Sequence, residues 1–283
     1  MKIIRKVNDM ITLSHELKNA HLQIGFVPTM GYLHEGHTTL METSIRENEV
    51  TIVSIFINPL QFGPNEDFDQ YPRDEKRDID ILKKHQVDYL FLPDVQEIYP
   101  SEPTVSMTVQ NRTNVLCGKR RPGHFDGVVT VLSKLFHITK ADFAYFGMKD
   151  AQQVAVIQGL VEDLNFPIQI RPVPTVREND GLARSSRNIY LSNQERKQAP
   201  HLYRSLKLAE QLIIDGEINP VIIIEEVKKY LSLHTDGKLD YVELLSYPEL
   251  KPIQTIGGQI IIALAVFFGK ARLIDNIVIQ VES

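Results

Sequence analysis

Cysteine is nearly absent from this chain, which has Cys117 as its one thiol among 283 residues. A single cysteine excludes an intrachain disulfide and a thiolate zinc cluster, and it is typical of a reducing compartment. We expect it to be a small buried side chain. The longest unbroken apolar run, residues 260–268, is too short to cross a bilayer and predicts a buried strand. The N-terminal residues lack the apolar segment of a signal peptide, so we expect a cytoplasmic protein without membrane association.

The chain also lacks an excess of basic residues, because its formal net charge is -5. This balance argues against a nucleic-acid coat and a polybasic membrane anchor, both of which need clustered Lys and Arg. The hydrophobic share of 43% and the charged share of 24% are close to the averages of globular proteins, so a sizeable core can form. The length favours one large domain or two unequal ones.

Short β-rich apolar runs alternate with longer amphipathic stretches through the first two thirds of the chain. The runs predict strands at residues 23–28, 50–57, 87–92, 142–146 and 168–173. The stretches predict helices at residues 38–48, 74–86, 128–138 and 150–164. This alternation indicates βαβ units and an α/β fold with a doubly wound, parallel, Rossmann-like sheet. Ligands are expected at the carboxyl ends of its strands.

The pattern changes after residue 176. Helices are predicted at residues 194–215 and 220–233, and strands at 241–246, 259–267 and 273–279. We therefore expect a nucleotide-binding domain over residues 1–175 and a smaller α+β domain over residues 176–283 that closes over the nucleotide. The polar junction at residues 177–181 contains Asn-Asp-Gly, which favours a turn and makes this segment a candidate hinge.

Two histidines three residues apart follow the first predicted strand, in the segment His34-Glu35-Gly36-His37. At a helix start they lie on one side, beside backbone N–H groups that suit phosphate oxygens. Gly36 would let a polyphosphate approach the backbone closely. A surface histidine pair or half of a metal site is the commoner interpretation of an isolated pair. Its position after a parallel strand favours the phosphate site, because α/β sheets bind nucleotides there.

This HxGH pattern resembles the signature of the nucleotidylyltransferase superfamily, which cleaves ATP between the α and β phosphates. Four further segments, in this order and spacing, resemble the pantothenate synthetase family in particular. They are FINPLQF at residues 56–62, RPGHFDGV at 121–128, FGMKDAQQ at 146–153 and GLARSSRN at 181–188. The resemblance covers essentially the whole chain.

The resemblance implies a ligase in which pantoate and ATP give pantoyl adenylate and pyrophosphate, and β-alanine then displaces AMP. The catalytic residues that it implies are His34, His37, Lys149 and Arg187. The ATP-binding residues that it implies are Met30, Gly31, His34, Gly36, His37, Gly147, Met148, Lys149, Asp150, Val176, Arg184, Ser185, Ser186 and Arg187. The residues that it implies for pantoate and β-alanine are Gln61, Gln153 and Asn58.

These residue types suit the implied chemistry. The amides of Gln61 and Gln153 can hydrogen-bond a hydroxy acid without adding charge. Lys149, at the end of a predicted strand, can reach phosphates whose charge grows as pyrophosphate leaves. Residues 185–187 offer two hydroxyls and a forked guanidinium to a triphosphate. Their loop is expected to close over ATP and exclude water.

Some positions keep two interpretations. Asn58, which precedes a proline, fits a plain turn nearly as well as a ligand contact. Arg121 and His124 fit either an active-site wall or a packed turn. Met148 and Arg184 differ from the residues commonest in the family at these positions, so the resemblance implies backbone contacts with ATP there and predicts no role for their side chains.

ATP chemistry implies Mg²⁺, which is held largely by phosphates and water, so no dedicated cage is expected. Asp78 and Asp150 are the candidate outer ligands. The resemblance further implies a homodimer that acts on small molecules.

Three alternatives differ in product or partner. Another HxGH adenylyltransferase of cofactor biosynthesis would keep AMP in its product, but it is not expected to share the Gln61 and Gln153 segments. A class I synthetase-like protein acting on tRNA is disfavoured by the net charge of -5. A non-catalytic ATP-binding regulator is disfavoured because all four candidate catalytic side chains are present.

Overall fold

The larger part of the fold is built on a six-stranded parallel sheet. The computed structural model describes residues 1–63, 68, 69 and 71–282. The strands are β1 (Lys2–Ile4), β2 (Ile24–Thr29), β3 (Val50–Ile55), β4 (Tyr89–Phe91), β5 (Phe143–Gly147) and β6 (Gln169–Val173). Their order is β1-β4-β3-β2-β5-β6, and all neighbours are parallel. The predicted α/β class with a Rossmann-like sheet is confirmed.

Helices cover both faces of this sheet. The helices of this part of the chain are α1 (Val7–Asn19), α2 (Glu35–Glu47), α3 (Glu75–Lys84), α4 (Val95–Ile98), α5 (Leu116–Arg120), α6 (His124–Thr139) and α7 (Ala151–Asp163). Successive side chains of a strand point to opposite faces. Phe26 therefore packs with α1, α6 and α7, whereas Val27 packs with α2 and α3. Burying a side chain of this size contributes about 1.5–3 kcal/mol, so both layers hold the central strand in register.

The direction of strand order reverses between β2 and β5, which are neighbours in the sheet. β3 and β4 extend the sheet to one side of β2, and β6 extends it beyond β5 on the other. The carboxyl ends of β2 and β5 therefore flank the crevice in which doubly wound sheets bind ligands. Thr29 and Gly147 end these strands, and the predicted histidine and lysine segments follow them.

The C-terminal part has its own sheet and core. Its elements are α8 (Asn193–Gln198), α9 (His201–Ile214), α10 (Pro220–His234), β7 (Lys238–Ser246), β8 (Gly258–Phe268) and β9 (Ala271–Val281). The strands pair antiparallel in the order β7-β8-β9, and α9 and α10 pack on one face. Asn219 caps α10, whose first residue is Pro220, a position that needs no backbone donor.

The other face of the second sheet packs against the first part of the chain. Leu245 and Ile261 contact a cluster that includes Leu116 of α5 and Ala151 of α7. Near this contact, Arg177 forms a double hydrogen bond with Asp275 of β9, at 2.7 and 2.9 Å. Asp275 is 3% exposed, and breaking a buried pair is costly because it leaves an uncompensated charge. The junction between the two parts is therefore tied to the second sheet.

Several predicted elements differ from those observed. β1 and α1 were not predicted, because the strand is three residues long and the helix buries few of its residues. The helix predicted at 194–215 is interrupted between Gln198 and His201, since Pro200 supplies no backbone N–H and disfavours a continuous helix. Cys117 is partly exposed rather than buried. Over the described ranges, none of the helices combines the length and the apolarity that a membrane crossing requires.

Candidate active site

The loop after β2 is held in place by one carboxylate. Asp78 of α3 accepts hydrogen bonds from the backbone N–H groups of Tyr32 at 2.7 Å and Leu33 at 2.8 Å. Burial raises the pKa of the Asp78 carboxyl, and these two donors oppose the shift. The side chain is 2% exposed. Both carboxylate oxygens are thus engaged in shaping the loop, which differs from the outer metal ligand that we expected.

His34 and His37 cap the first turn of α2 with their rings. The N–H of Gly36 donates to Nδ1 of His34 at 3.1 Å, and the N–H of His34 donates to Nδ1 of His37 at 3.2 Å. A neutral imidazole whose Nδ1 accepts carries its proton on Nε2. The ring centroids are 4.1 Å apart. Both histidines line the same cavity, and Nε2–H is the donor that each ring keeps for a ligand.

The local environment keeps both rings neutral. Burial lowers the pKa of His34 to about 4, and the Lys149 charge adds to this effect. Burial, then His34 and Lys149, lower the pKa of His37 well below its usual value. Gly36 leaves room for this arrangement, since a Cβ there would lie 2.8 Å from Cε1 of His34 and the ring would have to move. The motif therefore positions two uncharged donors at a helix N-terminus, where the macrodipole favours anions.

Gln61 is positioned by a network of buried polar groups. Nδ2 of Asn58 donates to Oε1 of Gln61 at 3.3 Å and to the carbonyl of Gly127 at 2.9 Å. Oδ1 of Asn58 accepts from the Tyr99 hydroxyl at 3.0 Å. Asn58 is 1% exposed and is not part of the cavity wall, so its contacts orient Gln61 instead of meeting a ligand. Of the two interpretations of Asn58, this arrangement favours the turn over the direct ligand contact.

Arg121 and His124 hold the same glutamine from the other side. Nδ1 of His124 lies 2.8 Å from the carbonyl oxygen of Gln61, and Nη1 of Arg121 lies 3.0 Å from Nε2 of His124. Both side chains also line the cavity. The two interpretations are therefore compatible, because this packed turn forms part of the wall.

Lys149 enters the site from the end of β5. It lies in a short 3-10 turn, Met148–Asp150, and its Nζ is 3.8 Å from Oδ2 of Asp150. Asn276 of β9 donates from Nδ2 to the carbonyls of Met148 at 3.0 Å and Lys149 at 2.8 Å. A residue of the second sheet therefore fixes the backbone that carries the lysine. No local pattern signals this contact, since 127 positions separate Lys149 from Asn276.

The cavity enclosed by these groups has a volume of about 260 Å³. Fourteen of the predicted site residues line it, namely Met30, His34, Gly36, His37, Gln61, Gly147, Lys149, Asp150, Gln153, Val176, Arg184, Ser185, Ser186 and Arg187. A neighbouring cavity of about 560 Å³ lies between the two sheets and shares seven residues with it, namely Arg121, His124, Lys149, Asp150, Gln153, Ser185 and Arg187. The strand ends and the 184–187 loop thus meet where the topology predicts a ligand site.

Comparison with known proteins identifies the family of the protein that contains this cavity. A family model described as Pantoate-beta-alanine ligase matches residues 2–278. The chain belongs to this family. Pantothenate synthetases of Bacillus cytotoxicus and Bacillus cereus are 59% and 57% identical to it over 282 residues, with 100% of both chains covered in each comparison.

Solved structures of the pantoate-beta-alanine ligase family share the fold. Pantothenate synthetase from Thermus thermophilus matches with a TM-score of 0.90 at 41% identity, covering 98% of this chain and 99% of that one. The Francisella tularensis ligase, complexed with beta-gamma ATP and beta-alanine, matches with a TM-score of 0.78 at 36% identity, covering 98% and 97%. The predicted enzyme class, a ligase that forms pantothenate from pantoate and β-alanine, is confirmed.

Within this ligase, four predicted site residues lie outside the cavity wall. They are Gly31, Asn58, Asp78 and Met148. Gly31 belongs to the loop that Asp78 supports. Met148 packs with the hydrophobic clusters on either side of it, and its sulfur faces the Tyr247 hydroxyl at 3.9 Å. All four residues are close to the site in sequence, but they contact residues beside the cavity and do not line it.

Proposed function

We propose that the enzyme forms pantothenate through a pantoyl-adenylate intermediate, with ATP as the source of AMP and pyrophosphate. The observation that carries this proposal is one shared cavity. It is lined by His34 and His37, whose remaining ring donor is Nε2–H, by Lys149, and by Gln61 and Gln153. Donors suited to phosphates thus lie beside amides suited to a hydroxy acid.

The first half-reaction needs positioning more than acid–base catalysis. The pantoate carboxylate is already a nucleophile, and it attacks the α-phosphorus while the bond to the pyrophosphate oxygen breaks. Gln61 and Gln153 hold the pantoate, and the Nε2–H groups of His34 and His37 donate to phosphate oxygens. Lys149 and Arg187, which line the cavity, balance the charge that builds on the departing pyrophosphate.

The second half-reaction is acyl transfer. The neutral amine of β-alanine attacks the acyl carbon, the bond to the AMP oxygen breaks, and the amine proton passes to solvent. Pantothenate and AMP are the products. The histidines contact the nucleotide phosphate and not the acyl carbon, so their contribution here is limited to the departure of AMP.

The residues present fit Mg²⁺ as a companion of ATP. In the parts of the chain that the structure describes, no group of three or more His, Cys, Asp or Glu side chains could hold a metal. Asp150 lines the cavity with a half-exposed carboxylate, whereas both oxygens of Asp78 are engaged by the backbone. We therefore propose Asp150 as the partner of an ion held mainly by phosphates and water. When bound, such an ion neutralises phosphate charge.

Domain organisation, assembly and location are further proposals. Separate sheets and separate cores support two domains over residues 1–175 and 176–283, with the second closing over ATP. Family resemblance supports a homodimer, which analytical ultracentrifugation would test. The single cysteine supports a cytoplasmic location.

Product analysis tests the proposed chemistry. Purified protein with ATP, Mg²⁺, pantoate and β-alanine should release AMP, pyrophosphate and pantothenate in equal amounts. Without β-alanine, labelled pyrophosphate should still exchange into ATP when pantoate is present. Formation of ADP, or a product that retains AMP, would rule out the adenylate route.

A further inference from the structure

An ion pair bridges two distant parts of the chain at the edge of the nucleotide cavity. Nη2 of Arg184 lies 2.8 Å from Oε2 of Glu35. Glu35 is the first residue of α2, whereas Arg184 belongs to the loop that leads into the C-terminal part. Arg184 lines the cavity, and the Glu35 side chain is 65% exposed. The pair therefore lies where the cavity wall meets solvent.

Arg184 is anchored on its own side of this contact. Its backbone N–H donates to the carbonyl of Val176 at 2.9 Å, and its Nη1 lies 3.5 Å from Oε1 of Glu178. Glu178 in turn accepts from Nη2 of Arg196 in α8 at 2.7 Å. The guanidinium is therefore carried by the C-terminal part of the fold, and its contact with Glu35 crosses to the first sheet's helix.

The contact has the properties of a reversible one. Partly exposed ion pairs contribute little free energy and are screened by salt. Nε of Arg184 is buried and has no hydrogen-bond partner among the described residues. A buried donor without an acceptor is unfavourable, so the guanidinium is not at an optimum in this position. Glu35 and Arg184 can therefore separate and pair again during turnover.

We propose that Glu35 and Arg184 form a latch that holds the cavity shut over the acyl adenylate and excludes water. This inference rests on the adenylate chemistry proposed above. When the latch is open, water adds to the acyl carbon, the bond to the AMP oxygen breaks, and pantoate, AMP and the two protons of the water are released. The strength of the pair therefore sets how much adenylate is lost before β-alanine arrives.

Glu35→Gln is the decisive variant, because Glu35 does not line the cavity. AMP release is measured without β-alanine and divided by the rate of pyrophosphate exchange into ATP, which reports adenylate formation. We expect this ratio to rise about two- to fivefold, the range set by a partly exposed ion pair. The exchange rate at saturating ATP should change by less than about twofold, because the pair does not contact the reacting atoms.

A double-mutant cycle isolates the pair. Arg184→Gln should raise the same ratio, and Glu35→Gln should add nothing to it in the Arg184→Gln background. Raising the salt concentration should increase the ratio of the parent protein but not that of Glu35→Gln. Glu75→Gln is the matched control, since it breaks an exposed pair with Arg5 that does not line the cavity.

Each result has a definite meaning. A parent-like ratio in Glu35→Gln, with Arg184→Gln weakening ATP binding, would show that Arg184 binds phosphate and that no latch exists. Equal ratios in all variants would also overturn the latch. Absence of pyrophosphate exchange in the parent protein would instead refute the adenylate chemistry, so the two failures are distinguishable. Thermal melting of each variant confirms that it is folded.

Discussion

Replacement of His37 by alanine tests the central role assigned to the histidine pair. The ring of His37 accepts from the backbone N–H of His34 and offers an Nε2–H to the cavity. Only the first half-reaction passes through a five-coordinate phosphorus, so a donor matched to that charge lowers its barrier selectively. His37→Ala should therefore slow adenylate formation strongly and acyl transfer much less.

The magnitude follows from two separate losses. Removing a donor that acts on a developing oxyanion costs on the order of 10²–10³ in rate, or about 2.7–4 kcal/mol. The variant also leaves the His34 N–H without its acceptor, which costs about 1 kcal/mol of folding free energy. A typical domain has about 5–15 kcal/mol of stability, so the variant stays folded and the rate effect is not a folding effect.

Single-turnover measurements separate the half-reactions. Adenylate formation is followed by rapid quench, and acyl transfer is followed by supplying pantoyl adenylate with β-alanine. His85→Ala is the control, since His85 directly follows α3 and lies beside Glu42 outside the cavity. Both rings are neutral, so the parent's adenylate formation should not lose a histidine contribution between pH 8 and about 6. Equal losses in both half-reactions, together with abolished ATP binding, would refute the transition-state role.

Three further outcomes are expected. Gln61→Ala should weaken pantoate binding by the ~1–3 kcal/mol that an unpaired buried partner costs, and the KM for pantoate should rise accordingly. ATP binding measured by calorimetry should stay unchanged, and a parallel loss of ATP affinity would contradict the assignment of Gln61 to pantoate. His34 has a pKa of 6.5 in the unfolded chain, whereas burial lowers it to about 4 in the folded protein. The free energy of unfolding should therefore decrease by about 3 kcal/mol as the pH falls from 6.5 to about 4, because only the unfolded chain takes up the proton in that range. Urea unfolding of the parent and of His34→Asn checks this, and equal pH slopes would argue against it. Gly127→Ala would place a Cβ 2.3 Å from the carbonyl oxygen of Leu60 and should cost roughly 1–3 kcal/mol in thermal unfolding, whereas Gly257→Ala meets nothing within 4 Å and should be nearly neutral.

Local patterns were sufficient to predict five of the six strands of the parallel sheet and about half of the residues that line the cavity. Buried strands read as short apolar runs, and the carboxyl ends of parallel strands meet at one edge. Residues in the segments that follow β2 and β5, such as His37 and Lys149, could therefore be placed in one site from the sequence. The resemblance to a family supplied their chemical roles.

Side-chain direction and long-range contacts could not be predicted in the same way. Asn58 follows a strand of the site, yet its side-chain amide forms hydrogen bonds with Gly127 and Tyr99, which are distant in sequence. Asp78 has the right charge for a metal, but both of its carboxylate oxygens accept hydrogen bonds from backbone N–H groups of the loop after β2. These outcomes depend on which partner packs nearby, and residue type and spacing carry little information about that.

The hydrogen bonds from Asn276 to the carbonyls of Met148 and Lys149 couple the backbone of this lysine to β9. Any rotation that separates β9 from the first sheet must either break these two bonds or carry the Lys149 backbone with it. Opening of the site and withdrawal of its positive charge would then be one movement. The displacement that opens the site for the products would also move the Lys149 charge away from them, so no separate movement of the lysine would be needed for product release.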